Sequence, residues 1–305
     1  MARRLTYSIL AVAGLGALFF AWNAWHNSRS LSDADLLRRL PTADAIVLSI
    51  DFAQLRGSGL FDKLGASKMM EEADYQAFVR DSGFDYKRDL ENVVSAFTQS
   101  GTFFVVRGRF DWKKLEAYAK QSGGSCYRDL CNVPGSQPDR HISFLPLAHN
   151  VMGLAVAKTD SAAAQLLQPA TQVRSISIPA QPIWMSMPGS ALLRNARTVP
   201  GGSLLASTLT TVDDMMITLG AQGSNFAARM EARCRTTQEA ASLTGQLKTL
   251  TSLLQATIAR EKKKPEPGNL SGVLTAGQFR QADKVVLGEW TIDKSLIDSL
   301  LKGTG

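Results

Sequence analysis

Cys126 and Cys131, in GGSCYRDLCNVPG, are the residues of this chain best spaced for covalent chemistry. In an oxidising compartment such a pair closes a small disulfide loop between glycine-rich and proline-rich turns. A zinc site would need further ligands at suitable spacing, and none lies nearby. In a reducing compartment both stay thiols. The third cysteine, Cys234, falls on the apolar side of a strand and reads as a buried free thiol.

The other chemistry-bearing residue types lack the arrangements that reactions need. His26, His141 and His149 have no carboxylate or cysteine at metal-ligand spacing. The serines of Gly57-Ser58-Gly59, Gly123-Gly124-Ser125 and Gly201-Gly202-Ser203 sit in turns and form no G-x-S-x-G elbow. Glu71 and Glu72 are neighbours on a helix, so they diverge by about 100° and make no acid–base dyad. Asp213-Asp214 reads as punctuation before a strand, and no P-loop or dinucleotide fingerprint is present. The pattern predicts no catalytic residue, no metal and no cofactor. A hydrolase would need a site assembled from distant polar residues.

The elements that would position such residues read as one unit written twice, after a short helix at 31–40 capped by Ser32 or Asp33. In the first unit a strand at 45–50 leads through turn-rich FAQLRGSG to a helix ending at Gly83. A hairpin follows, VVSAF and TFFVVRGRF about the turn TQSG, and Asp111 caps the helix WKKLEAYAKQ. A second hairpin, HISFLPLA and VMGLAVAK, precedes a last helix SAAAQLLQ. In the second unit QPIWMSMP matches AIVLSID, and DDMMITLG with NFAARMEARCR forms the hairpin, aligned so that Arg233 falls on Arg109. Thr236 and Glu239 make a capping box for the next helix, and LSGVLTAGQFR with KVVLGEW forms the last hairpin. Arg229, Glu231, Arg233 and Arg235 alternate with Met230, Ala232 and Cys234, and Arg107 and Arg109 alternate likewise with apolar neighbours. That period of two gives one wet and one buried face. The expected fold is α+β, two tandem β-α-β-β-α-β-β-α repeats with antiparallel sheets, spanning 31–178 and 179–305.

Residues 1–30 read differently. Leu5 to Trp25 is an uncharged apolar run, long enough to cross a bilayer as a helix of about 20 residues. Arg3 and Arg4 before it, and Trp22 and Trp25 at its far end, orient the amino terminus to the cytoplasm and the body to the periplasm or exterior. A cleaved leader fits less well, because Trp22 and Phe19 are bulky where cleavage favours small residues. Ala13, Ala17, Ala21 and Ala24 fall at helical spacing and offer a seam for a homodimer through the membrane helix.

The chain has 305 residues, 45% of them hydrophobic, and a formal net charge of +7. Most basic residues are scattered among acids, and the run Arg260 to Lys264 ends at a Pro/Gly turn, so the charge predicts no nucleic-acid partner. LPTADAIVLSID, GFDYKRDLENV before a hairpin, and the single amino-terminal anchor resemble uncharacterised bacterial membrane-anchored envelope proteins carrying a duplicated domain of unknown function. The resemblance implies an inner-membrane, single-pass protein and brings no activity.

The sequence therefore predicts a non-enzymatic envelope protein, held in the lipid bilayer by residues 5–25, whose body binds a protein partner as a scaffold, assembly factor or sensor. Arg107, Arg109, Arg229, Arg233 and Arg235 are its candidate contact residues for an acidic partner. The alternative is a carrier of a lipid or other apolar ligand.

Overall fold

Ser32 starts the first helix, α1 (Asp33–Arg39), by accepting the Asp35 amide on its hydroxyl while the Asp35 carboxylate takes the Ser32 amide. The computed structural model to which it belongs describes residues 31–58, 73–135, 137, 139–196, 209–223, 225–260, 270–293 and 295–296. The apolar run 5–25 and its alanine stripe lie outside the described residues. Among the described residues no helix is long and apolar enough to cross a membrane.

After β1 (Ile46–Asp51), Asp51 accepts the Gln54 amide at 2.8 Å and so caps α2 (Phe52–Gly57), where the sequence suggests only turns. Helices α3 (Ala73–Ser82) and α4 (Tyr86–Asp89) lead to the hairpin β2 (Leu90–Phe97) and β3 (Gly101–Gly108). Then come α5 (Trp112–Gln121), the short hairpin β4 (Ser125–Tyr127) and β5 (Leu130–Pro134), and the hairpin β6 (His141–Ala148) and β7 (Val151–Ala157). SAAAQLLQ forms a 3-10 helix, Ala162–Leu167, held by the Ala163 amide donating to the buried Ser143 hydroxyl at 3.0 Å.

The second half runs β8 (Ile183–Pro188), α6 (Gly189–Ala196), β9 (Val212–Gln222), β10 (Asn225–Cys234), α7 (Thr237–Arg260), α8 (Leu270–Thr275), β11 (Gln278–Ala282) and β12 (Val285–Ile292). Thr236 and Glu239 cap α7 reciprocally. The start of the last expected strand, LSGVLT, is instead the helix α8. It is tied to α7 by the Gln255 side chain donating to the Thr275 carbonyl at 2.8 Å.

All twelve strands join one antiparallel sheet in the order β11-β12-β10-β9-β8-β1-β2-β3-β7-β6-β5-β4. The two halves of the chain meet at the β1–β8 pair, where Leu48 faces Met185, Val47 faces Ser186 and Ser49 faces Trp184. A half-turn about the Leu48–Met185 pair exchanges these partners. Carried outward through the ladders, the same half-turn brings Asn92 onto Asp214 and Arg107 onto Arg233, for Asn92 faces Arg107 and Asp214 faces Arg233. Both hairpins also break register next to that pair, between Leu90 and Asn92 on β2 and opposite Arg233 and Cys234 for β9. The register thus sets Arg233 against Arg107 and Arg235 against Arg109. The alignment of Arg233 with Arg109 is two residues off, because the β9–β10 hairpin is longer than β2–β3.

The sheet is covered unequally. On one face Leu36 and Leu37 of α1, Leu40 just after it, and Leu166 of the 3-10 helix bury Val47, Val94, Phe103, Val105 and Leu145. On the other face α5 buries Phe144 and Met152, and α7 buries Met230, Ala232 and Val286. Leu55 of α2 packs with Phe226 between these two clusters. At two equivalent positions on the α1 face the second half is charged instead: Glu231 stands where Val105 does, and Arg229 where Phe103 does.

Candidate ligand sites

Helix α5 exists because Asp111 accepts the Lys114 amide and Leu115, Tyr118 and Ala119 recur on one side. It ends at Gly123, which adopts a positive φ of 78°. The chain then passes so close to β5 that a side chain on Gly124 would meet the Asn132 carbonyl. Cys126 and Cys131 face each other directly across the β4–β5 hairpin and are joined as a disulfide. Cys131 is buried with Leu115 and Ala119, so the bond clamps the hairpin beneath α5.

Between α3, α5 and the sheet lies an apolar cavity of about 530 Å³. Its floor is the α5-side row of the inner strands: Val93, Phe104, Val106, Ile142, Leu154 and Val156. All six are only half buried, although the alternate residues on the opposite face, such as Val94, Phe103 and Val105, are fully buried. Phe78 and Tyr118 meet edge to face at a ring separation of 5.2 Å, and Phe84 stacks on Phe110 at 5.3 Å. Phe78 of α3 and Tyr118 of α5, with Phe84 and Phe110 from the segments just after α3 and just before α5, line the cavity. Alternation in the sequence put Val106 on a buried face of its strand, whereas it is half buried here, and nothing in the sequence indicated the void above it.

The arginines singled out from the sequence do not form one wet surface. Arg107 departs from that expectation: its side chain is 18% exposed, with one Nη donating to Asp33 at 3.1 Å and the other to the Leu31 carbonyl. It is covered because α1 lies over that half of the sheet. Arg109, just past β3, is exposed and reaches the buried Asp89 at 3.0 Å. Arg229 pairs with Glu289 at 3.4 Å, Arg233 with Asp214 at 3.7 Å and Arg235 with Asp213 at 3.3 Å. Each therefore has a carboxylate partner on its own sheet. Arg88, with two hydrogen bonds, holds the Asp89 carboxyl below the usual carboxylate range, and Arg109 adds to the effect.

Two polar clefts flank the segment that joins the halves across the α1 face. One, of about 480 Å³, is lined by Arg174, Ser186, Asp214, Arg229, Glu231 and Arg233. The other, of about 280 Å³, is lined by Asp33, Ser49, Asp51, Gln54, Asn92 and Trp184, among others. Among the described residues no three His, Cys, Asp or Glu side chains converge on a metal-sized site.

No family model matches the sequence, and no curated protein does. Among solved structures, the chain is similar to "Structure of crystal form I of TP0453", with a TM-score of 0.50 and 11% identity over 90% of this chain and 98% of that one. "Structure of crystal form IV of TP0453" matches at a TM-score of 0.49 and 13% identity, covering 93% and 99% of the two chains. At such identity the likeness concerns the fold alone.

Proposed function

We propose that this chain is a membrane-anchored binder of a single-chain apolar ligand, such as a lipid acyl chain, taken into the cavity beneath α3 and α5. One observation carries the reading: six apolar side chains in the middle of a sheet stay half exposed under a roof of aromatic rings. Apolar surface left open there forfeits roughly 25 cal/mol for each Å² that an apolar guest would cover. At about 530 Å³ the cavity falls within the range of about 300–1,000 Å³ usual for small-molecule sites. The apolar run 5–25 would hold the body beside a bilayer, which supplies such ligands. In this reading the amino terminus is cytoplasmic and the body lies in the periplasm or outside, where the Cys126–Cys131 bond suits an oxidising medium.

The repeated register about Leu48 and Met185 supports a tandem duplication, with units 31–178 and 179–305. The protein-scaffold reading is weaker, because the exposed arginines of the sheet already neutralise carboxylates within the chain.

The test uses the full chain in nanodiscs containing a diazirine-bearing fatty acid. After illumination, mass spectrometry should place adducts on β7 or α5 as well as in residues 5–25. Leu154→Trp, which fills the cavity, should abolish the former and spare the latter. Adducts confined to residues 5–25, or body adducts indifferent to Leu154→Trp, would sink the reading.

A further inference from the structure

The two clefts on the α1 face are built on equivalent sheet positions, yet the chain fills only one of them with a guanidinium from its connecting segment. The half-turn that exchanges Leu48 and Met185 carries Ser49 to Ser186 and Asn92 to Asp214. At Ser186 the cation is Arg174, whose Nη1 donates to the Ser186 hydroxyl at 2.8 Å. Its Nη2 points to the Ala45 and Ser186 carbonyls at 3.4 Å. Burial works against the charge of Arg174, and the nearby Asp214 offsets part of that.

In the other cleft Ser49 and Asn92 hold the matching places. Asn92 is 6% exposed and lines the cleft, and its Oδ1 is buried without a hydrogen-bond partner. A buried acceptor left open costs about 1–3 kcal/mol, so the site favours a guest that donates. Asp51 and Asp33 contribute carboxylates, and Arg107 neutralises Asp33 from beside it, leaving the cleft one negative charge in balance. Trp184, itself buried, also lines the cleft. At about 280 Å³ the space lies just below the range used by drug-sized molecules, which limits the guest to a small one.

We propose that this cleft binds a small guanidinium-bearing cation, held by Asn92 Oδ1, the Ser49 hydroxyl and the Asp51 carboxylate, much as the Ser186 hydroxyl holds Arg174 in the cleft that Asp214 also lines. A planar fork of donors suits these convergent acceptors better than the point charge of an ammonium. The inference concerns the face opposite the apolar cavity and stands independently of it.

Isothermal titration of the full chain in detergent with agmatine tests it, with putrescine as the ammonium analogue. Agmatine should saturate a single site and bind about tenfold more tightly than putrescine. Asn92→Asp, which installs the residue type of Asp214, should tighten agmatine about fivefold, and Asp51→Asn should weaken it about tenfold. Asn92→Leu should abolish binding, and Asp214→Asn in the other cleft should leave it unchanged. The idea fails if agmatine gives no saturable heat, if putrescine binds equally well, or if the affinity ignores Asn92→Asp and Asp51→Asn. Neither Asn92→Asp nor Asp51→Asn removes volume from the core, so these two variants decide the matter even if Asn92→Leu does not fold.

Discussion

Val105 and Glu231 occupy the same place in the two halves of the sheet, one residue fully buried and the other exposed. The difference comes from what lies above them. Helix α1 and the 3-10 helix close over Val105, whereas Glu231 lines an open polar cleft. Val105→Glu should therefore destabilise the protein by about 3–5 kcal/mol, the range for an unpaired buried charge. Glu231→Val should change stability by no more than about 0.5 kcal/mol. Urea denaturation of the two variants gives the comparison directly, and equal effects would contradict the asymmetric covering.

Asp89 should make stability depend on acid. Its carboxylate accepts from the Asp85 amide and Arg88 and forms an ion pair with Arg109, all at 3.0 Å, and its pKa lies below the ordinary 3.8. A lowered folded-state pKa contributes stability that is full above 3.8 and is lost as pH falls through the folded value. Asp89→Asn should cost about 1–3 kcal/mol at pH 7, and the gap from the parent should close in strong acid. A gap of the same size at pH 7 and pH 2 would speak against this role.

Breaking the Cys126–Cys131 bond should loosen one region rather than the whole sheet. Its sequence separation is only 5, and loops of this size give about 2 kcal/mol in the chain-entropy account. Cys131 packs with Leu115 and Ala119, so reduction should speed amide exchange in β4, β5 and α5 while β1 and β8 stay protected. Uniform acceleration across the sheet is the contrary outcome.

The arginines should separate by burial. Arg229→Gln, Arg233→Gln and Arg235→Gln each break an exposed pair and should cost less than about 1 kcal/mol. Arg107→Gln removes the bonds to Asp33 and the Leu31 carbonyl beneath α1 and should cost about 1–3 kcal/mol. Thermal melts of the four variants rank them, and an Arg107 variant as mild as the rest would overturn the ordering.

Local chemistry was written plainly in the chain. The caps at Ser32, Asp111 and Thr236, the hairpins, and the alternation about Met230, Ala232 and Cys234 all depend on residues a few positions apart. The sequence also reads the body as one unit written twice, and against the half-turn that relates the inner strands its register is two residues off. A shift of two keeps every side chain on its own face, so alternation cannot detect it; only the ladders from Leu48 and Met185 outward fix it. The single sheet, the burial of Arg107, the apolar cavity and the open acceptor of Asn92 belong to the tertiary structure alone. Each depends on how far apart distant segments come to rest, and that distance leaves no periodic trace along the chain.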